Sequence, residues 1–272
     1  MWKNFISETE MPGTKVTKDQ LQIICHRYYF TSKFVSGKRV LEVGCGPGLG
    51  LGYLSRSAKQ VVGGDITRDI LRVAQEHYRG GVGLTLMDAH KLPFRNGCFD
   101  VVVCLAAIIY LDLPVFIDEC RRVLKKDGTL ILNSPNRDQP GFQGSRLSNR
   151  YYSAPELFKL LKQHNFDAEL FGAFPVTKPR GRSLKEKIPQ TFIGGVGKIL
   201  DLTPKGKAVK EWLKKFIFPP PIILSEEIEE GMVDNVQLLL IPSDFPDVHH
   251  RILYAVAHPR DLEMNHSISG NS

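Results

Sequence analysis

The sequence predicts a doubly wound α/β fold built on a mostly parallel, seven-stranded sheet. Three observations carry that prediction. Short apolar runs alternate with helix-period segments over the first two-thirds of the chain, the pattern of a sheet with crossover helices on both faces. One run, Phe99-Asp-Val-Val-Val-Cys-Leu105, is apolar on both faces, as a buried parallel strand requires. The first run breaks into glycines at 44, 46 and 48, a turn whose main-chain N–H groups can approach a ligand that side chains would hold off.

Taken in order, a helix is expected over Lys18–Phe34, with Thr17 as its N-cap and Gly37 just past its end. Val40–Val43 is the first strand and Leu49–Ala58 the helix after the glycine turn. Gln60–Asp65 is a second strand ending in an acid. Asp69–Tyr78 follows as a helix with Ile70, Leu71 and Ala74 on one face. Leu84–Met87 and Phe99–Leu105 are the third and fourth strands. Pro114–Lys125 is a helix that Gly128 should end. Thr129–Asn133 is the fifth strand, and Ser153 caps a helix over Pro155–His164. Phe166–Phe174 and Arg251–His258 complete the sheet. The stretch from about Val176 to His250 breaks the rhythm and reads as a basic, proline-punctuated and partly helical insertion before the last strand.

At 272 residues the chain has room for one large domain or for one domain plus an elaborate insertion. Met1–Glu10 holds no apolar core of signal-peptide length, and no stretch approaches the ~20 apolar residues of a membrane span. Five cysteines without a C-x-x-C pair indicate neither a disulfide framework nor a zinc site, so the expectation is a reduced, cytoplasmic protein with no metal. The net charge is +7, but it is local. Between Lys178 and Lys215, eleven Lys and Arg face Glu186, Asp201 and Glu211, a local charge of +8 that leaves −1 for the rest.

The glycine spacing narrows the ligand. A dinucleotide fingerprint needs G-x-G-x-x-G, and leucines stand at 49 and 51 where its third glycine would fall. What stands here is G-x-G-x-G with Glu42 two residues before it, which favours a nucleoside-bearing cofactor other than NAD. Asp65 is the second anchor, because a carboxylate ending the next strand can accept from both hydroxyls of a ribose. Asp88, ending the third strand, could accept from an exocyclic adenine amine while the Ala89 N–H donates to a ring nitrogen. Alone, an Asp there is usually a turn residue.

The ordered set Val40-Leu-Glu-Val-Gly-Cys-Gly-Pro-Gly48, Gly64-Asp65-Ile66, Asp88-Ala89 with Leu92-Pro-Phe94, Phe99-Asp-Val-Val-Val103 and Glu119 to Gly128 resembles the class I S-adenosylmethionine-dependent methyltransferases. More narrowly it is similar to their small-molecule type 11 branch, over roughly residues 37–174. The resemblance implies a Rossmann-like methyltransferase fold with S-adenosyl-L-methionine as cofactor. It implies that Gly44, Cys45, Gly46 and Gly48 pass under the methionine part, that Glu42 helps to hold its amino group, and that Asp65 takes the ribose. Ile66 would pack on the adenine, Asp88 and Ala89 would read its edge, and backbone at Cys104 and Leu105 would close the pocket. Arg122 is expected to be structural. Many relatives carry histidines after the fourth strand, where this chain has Ile109 and Tyr110.

The expected division is 1–36 as an N-terminal helical cover, with Arg27-Tyr28-Tyr29-Phe30 either over the cofactor or on a helix buried at the sheet edge, 37–175 as the cofactor-binding core, and 176–250 as the insertion. Residues 251–260 are the last core strand and 261–272 a disordered tail. Candidate bases are His26, Tyr110, Tyr151, His249 and His250, with a merely packed or exposed role the commoner fate of each. Lys207–Ile217 reads three ways: an amphipathic membrane-surface helix, a lid over an anionic substrate such as a nucleotide sugar, or a packed helix with a solvated outer face. A basic helix also suits RNA, but the D/N-P-P-Y/F tetrad of many base N-methyltransferases is missing, which argues against nucleic acid. The expected activity is methylation at O or N of a small or medium-sized metabolite, with a sugar, lipid-linked glycan or secondary metabolite favoured. The alternatives are an RNA methyltransferase and a cofactor-binding protein without turnover.

Overall fold

The computed structural model describes residues 5–176, 220–234 and 236–260. The basic segment 178–215, the amphipathic stretch Lys207–Ile217 that overlaps its end and the tail 261–272 lie outside the described residues. Among the described residues, no helix is long and apolar enough to cross a membrane.

In chain order the elements are β1 (Lys15–Val16), α1 (Lys18–Ser32), β2 (Arg39–Val43), α2 (Leu51–Ser55), β3 (Gln60–Asp65), α3 (Arg68–Tyr78), β4 (Gly83–Leu86) and β5 (Phe99–Leu105). Then come α4 (Leu113–Val123), β6 (Leu124–Pro135), α5 (Ala154–Gln163), β7 (Phe166–Pro175), β8 (Ile222–Ile223), β9 (Leu239–Leu240) and β10 (His250–Pro259). The main sheet has the order β4-β3-β2-β5-β6-β10-β7-β9. Strands β4, β3, β2, β5 and β6 pair in parallel, and β10 runs antiparallel between β6 and β7. The seven expected strands are all present, and β9 adds a two-residue antiparallel edge strand from within the insertion. The chain winds outward from β2 to β4, returns to β5 and winds the other way. The carboxyl ends of β2 and β5 therefore flank the topological switch point, where open α/β sheets bind ligands.

Period-two alternation divides the core into two layers. Val102 and Cys104 of β5 face α4 and α5, packing with Phe116, Ile117, Leu157 and Leu161. Val101, Val103 and Leu105 face the other way, toward α1, α2 and α3. Two helix starts are reciprocal capping boxes. The Thr17 hydroxyl accepts from the Gln20 N–H, and Gln20 Oε1 accepts from the Thr17 N–H. Ser153 and Glu156 do the same at α5.

Two local expectations are corrected. The helix after the glycine turn is only Leu51–Ser55, because the turn itself occupies residues 44–50. Helix α4 stops at Val123 rather than Lys125, and Gly128 does not end it. Leu124 is already extended and pairs with Phe99, so β6 begins directly from the helix and runs through Lys125–Gly128. Strand pairing here outweighs helix propensity. The returning segment after residue 220 packs on the amino-terminal part of the chain. Strand β8 pairs with β1, and the Tyr29 hydroxyl donates to Glu229 C=O at 2.6 Å.

Candidate functional site

A cavity of about 620 Å³ opens at the carboxyl ends of β2, β3 and β5, beneath residues 5–10. Its floor is the glycine turn, in which Gly44, Gly46 and Gly48 all adopt positive φ (74°, 56° and 83°). A β-carbon on Gly44 would lie 2.6 Å from that of Ala107, so β5's exit loop closes directly onto the turn. Ala106 holds φ of 61° in that loop, an uncommon conformation for a residue with a side chain.

Of the residues singled out from the sequence, Gly44, Cys45, Gly46, Asp65, Ile66, Asp88, Ala89 and Leu105 line this one cavity. Glu42, Gly48 and Cys104 do not. The Gly48 C=O accepts from the Tyr78 hydroxyl at 2.6 Å, which braces the turn from behind. Cys104 points into the α4 layer of the core. Burial pushes the Cys45 and Cys104 thiols far up, so neither is a nucleophile at neutral pH.

Asp65 closes the turn onto β3. Its carboxylate accepts from the Gly46 N–H at 3.0 Å and from the Thr67 N–H at 2.8 Å. Burial nevertheless raises its pKa, so the charge is held where little water compensates it. Asp88 is oriented by His90, a residue with no sequence signal for that role. The Asp112 N–H donates to His90 Nε2 at 2.9 Å, which leaves the proton on Nδ1 to donate to Asp88 Oδ1 at 2.8 Å.

Beneath the turn lies a second polar group. The Tyr28 hydroxyl donates to Glu42 Oε1 at 2.9 Å, while Oε2 is buried without a partner among the described residues. Burial pushes this carboxyl up to about 8, moderated by the Tyr28 hydrogen bond and the Arg27 charge. Arg27 makes a two-pronged ion pair with Glu10 at 2.8 and 2.9 Å, and its Nε is likewise buried and unpartnered. Arg27 and Tyr28 thus reach the cavity from α1, whereas Tyr29 and Phe30 pack elsewhere.

The candidate bases separate cleanly. Tyr110 and Tyr151 line the cavity. His26 is buried away from it, with Nε2 donating to Val236 C=O and Nδ1 accepting from the Tyr254 hydroxyl. His250 is turned to Asp247, and His249 is exposed. Asn136 is fully buried, its amide donating to the Asp247 and His250 carbonyls.

Fold and cavity together define a doubly wound α/β protein with a polar cleft at the topological switch point of its sheet. Residues 41–132 match the family model described as a methyltransferase domain, type 11. That segment is similar to the class I S-adenosylmethionine-dependent methyltransferases. Over 174 residues the chain is 30% identical to the phthiotriol/phenolphthiotriol dimycocerosates methyltransferase of Mycobacterium leprae, covering 60% of each. Over 115 residues it is 35% identical to the fatty-acid O-methyltransferase of Mycolicibacterium smegmatis, covering 40% of this chain and 42% of that one. The chain spans about half the length of the curated relatives it matches. A methyltransferase structure from Archaeoglobus fulgidus superposes with a TM-score of 0.53 at 16% identity, covering 89% of this chain and 94% of that one, a likeness of fold.

Proposed function

We propose that this chain transfers a methyl group from S-adenosylmethionine to an oxygen or nitrogen of a small or medium-sized metabolite. The observation that carries the reading is the charge of the cavity. Its described wall holds four carboxylates, Glu8, Glu10, Asp65 and Asp88, against one guanidinium, Arg27. Such a wall repels the pyrophosphate of a dinucleotide and the backbone of RNA. It suits a cofactor that carries a sulfonium cation and a nucleoside.

The residues present fit that cofactor. Arg27 Nε, buried and unpartnered among the described residues, is the group that the carboxylate of its amino-acid end would satisfy, while Glu42, beneath the turn, would act on the ammonium through the turn. Asp65 would accept from the ribose hydroxyls with the lone pairs left by Gly46 and Thr67. Asp88, fixed by His90, would accept from the adenine amine. When bound, the cofactor supplies an activated methyl group, and the protein's part is to position an acceptor in line with it.

Calorimetry with S-adenosylhomocysteine tests the reading. The wild-type protein binds it, and Asp65→Ala weakens binding by about 100-fold or more, the loss of charged hydrogen bonds to a ribose. Unchanged affinity in Asp65→Ala overturns the assignment. A cofactor-binding protein without turnover is distinguished by the absence of methyl-label transfer to any acceptor.

A further inference from the structure

The residues from Phe5 to Glu10 cross the cavity and join its two halves. At the cofactor end, Glu10 clamps Arg27, and the Thr9 methyl lies 3.2 Å from where a β-carbon on Gly46 would stand. At the outer end, the Phe5 ring packs against Tyr110 with centroids 5.0 Å apart. Glu8 lies between these two anchorages and lines the cavity. Its Oε2 accepts from the Ser145 hydroxyl at 2.6 Å, which fixes the side chain at the junction of the glycine-turn half and the outer half.

Other proton acceptors in the described wall are committed or weak. The Tyr110 phenol is pushed up to about 12, by burial first and by the charge of Glu8 next. The Tyr151 oxygen accepts from the Ser145 N–H at 2.8 Å. His90 has both ring nitrogens engaged. Arg27, the only Lys or Arg among the described lining residues, is tied to Glu10, so an acceptor carboxylate or phosphate meets no free cation.

We propose that Glu8 is the catalytic base of the acceptor half and that the acceptor is a neutral hydroxyl compound lying against the Phe5, Tyr110 and Tyr151 face. This rests on the methyl-transfer reading above. The acceptor oxygen forms its bond to the methyl carbon as the carbon–sulfur bond breaks with its electron pair going to sulfur. The hydroxyl proton passes to Glu8. The positive charge of the sulfonium and the negative charge of the carboxylate disappear together.

Glu8→Gln tests this with little change of shape, because the glutamine oxygen can still accept from Ser145. By calorimetry, Glu8→Gln keeps the wild-type affinity for S-adenosylhomocysteine but loses about tenfold for S-adenosylmethionine, whose cation faces the missing charge. With hexadecanol as probe acceptor, single-turnover methylation falls by about 100-fold. Ser145→Ala slows it only a few-fold. An unchanged affinity ratio in Glu8→Gln overturns the proposal. So does a wild-type rate in Glu8→Gln with equal losses in Glu8→Ala and Ser145→Ala, which would make Glu8 a latch. Methylation of hexadecanoate in preference to hexadecanol overturns the acceptor class. Failure of the wild-type protein to bind S-adenosylhomocysteine would instead remove the methyl-transfer reading itself.

Discussion

Replacing Glu42 by glutamine should stabilise the free protein and weaken its cofactor complex. The carboxyl lies 1% exposed beneath the glycine turn, with one oxygen partnered by Tyr28 and the other by nothing among the described residues. Burial raises its pKa from 4.5 to about 8, so the folded chain holds a proton that the unfolded chain releases. The stability tied to that proton is fully present below pH 4.5 and is lost as pH rises through about 8. The slope is about 1.4 kcal/mol per pH unit, and the whole effect has an upper bound of about 5 kcal/mol. Glutamine keeps the acceptor for Tyr28 and removes the titration. Thermal midpoints of wild type and Glu42→Gln should therefore diverge above pH 5, by roughly 2–4 °C for each kcal/mol, and stop diverging above pH 8. At pH 8.5 the same variant should bind S-adenosylhomocysteine about tenfold more weakly, the loss of a negative charge beneath the turn that carries the ammonium. Parallel melting curves from pH 5 to 9 would refute the account of Glu42 as a strained acid held for a ligand.

Two further outcomes follow from hydrogen bonds away from the cavity wall. Arg122 donates to both Glu119 oxygens and to the Leu92 and Phe94 carbonyls, all within 2.8 Å, and so pins the Leu92–Phe94 loop to α4. Arg122→Lys cannot span these acceptors and should cost about 1–3 kcal/mol in urea unfolding; a larger loss in S-adenosylhomocysteine affinity than in stability would give it a binding role instead. Burial lowers the His26 pKa, so the unfolded state takes up a proton that the folded state resists, and stability falls as pH drops below about 6.5. In a Glu42→Gln background, which removes the opposing slope, that acid loss should be visible by urea midpoint between pH 7.5 and 5.5 and absent when His26→Gln is added. An unaltered slope would locate the titration elsewhere.

The parts of the fold legible in the sequence are those set by near neighbours. Thr17 and Ser153 announce helix starts because a cap is a contact three residues long. The glycine turn, Asp65 and Asp88 are legible because parallel strands end on one edge, so a residue's place along its strand also gives its place in the cleft. The end of α4 was not legible. Leu124 leaves the helix to pair with Phe99, a contact 25 positions distant that local propensity does not see. Arg27 falls on a segment that can cover the cleft, but its clamp on Glu10 joins residues 17 apart and has no local signature. A Ser145 contact with Glu8 spans 137 residues and is still less visible.

This contrast separates the two halves of the cleft. The cofactor half is built from consecutive strand ends, so its donors and acceptors are ordered along the sequence and a family pattern can register them. The acceptor half draws Phe5 and Glu8 from before β1, Tyr110 from the exit of β5, and Ser145 and Tyr151 from the loop before α5. A change in any one re-shapes the acceptor face while leaving Gly44, Asp65 and Asp88 untouched. Both relatives are named methyltransferases, and their printed names give different acceptors. The acceptor of this chain is therefore better argued from the charge and contacts of its own outer wall, where a carboxylate at Glu8 and the lack of a free cation among the described residues favour a neutral hydroxyl over a fatty acid.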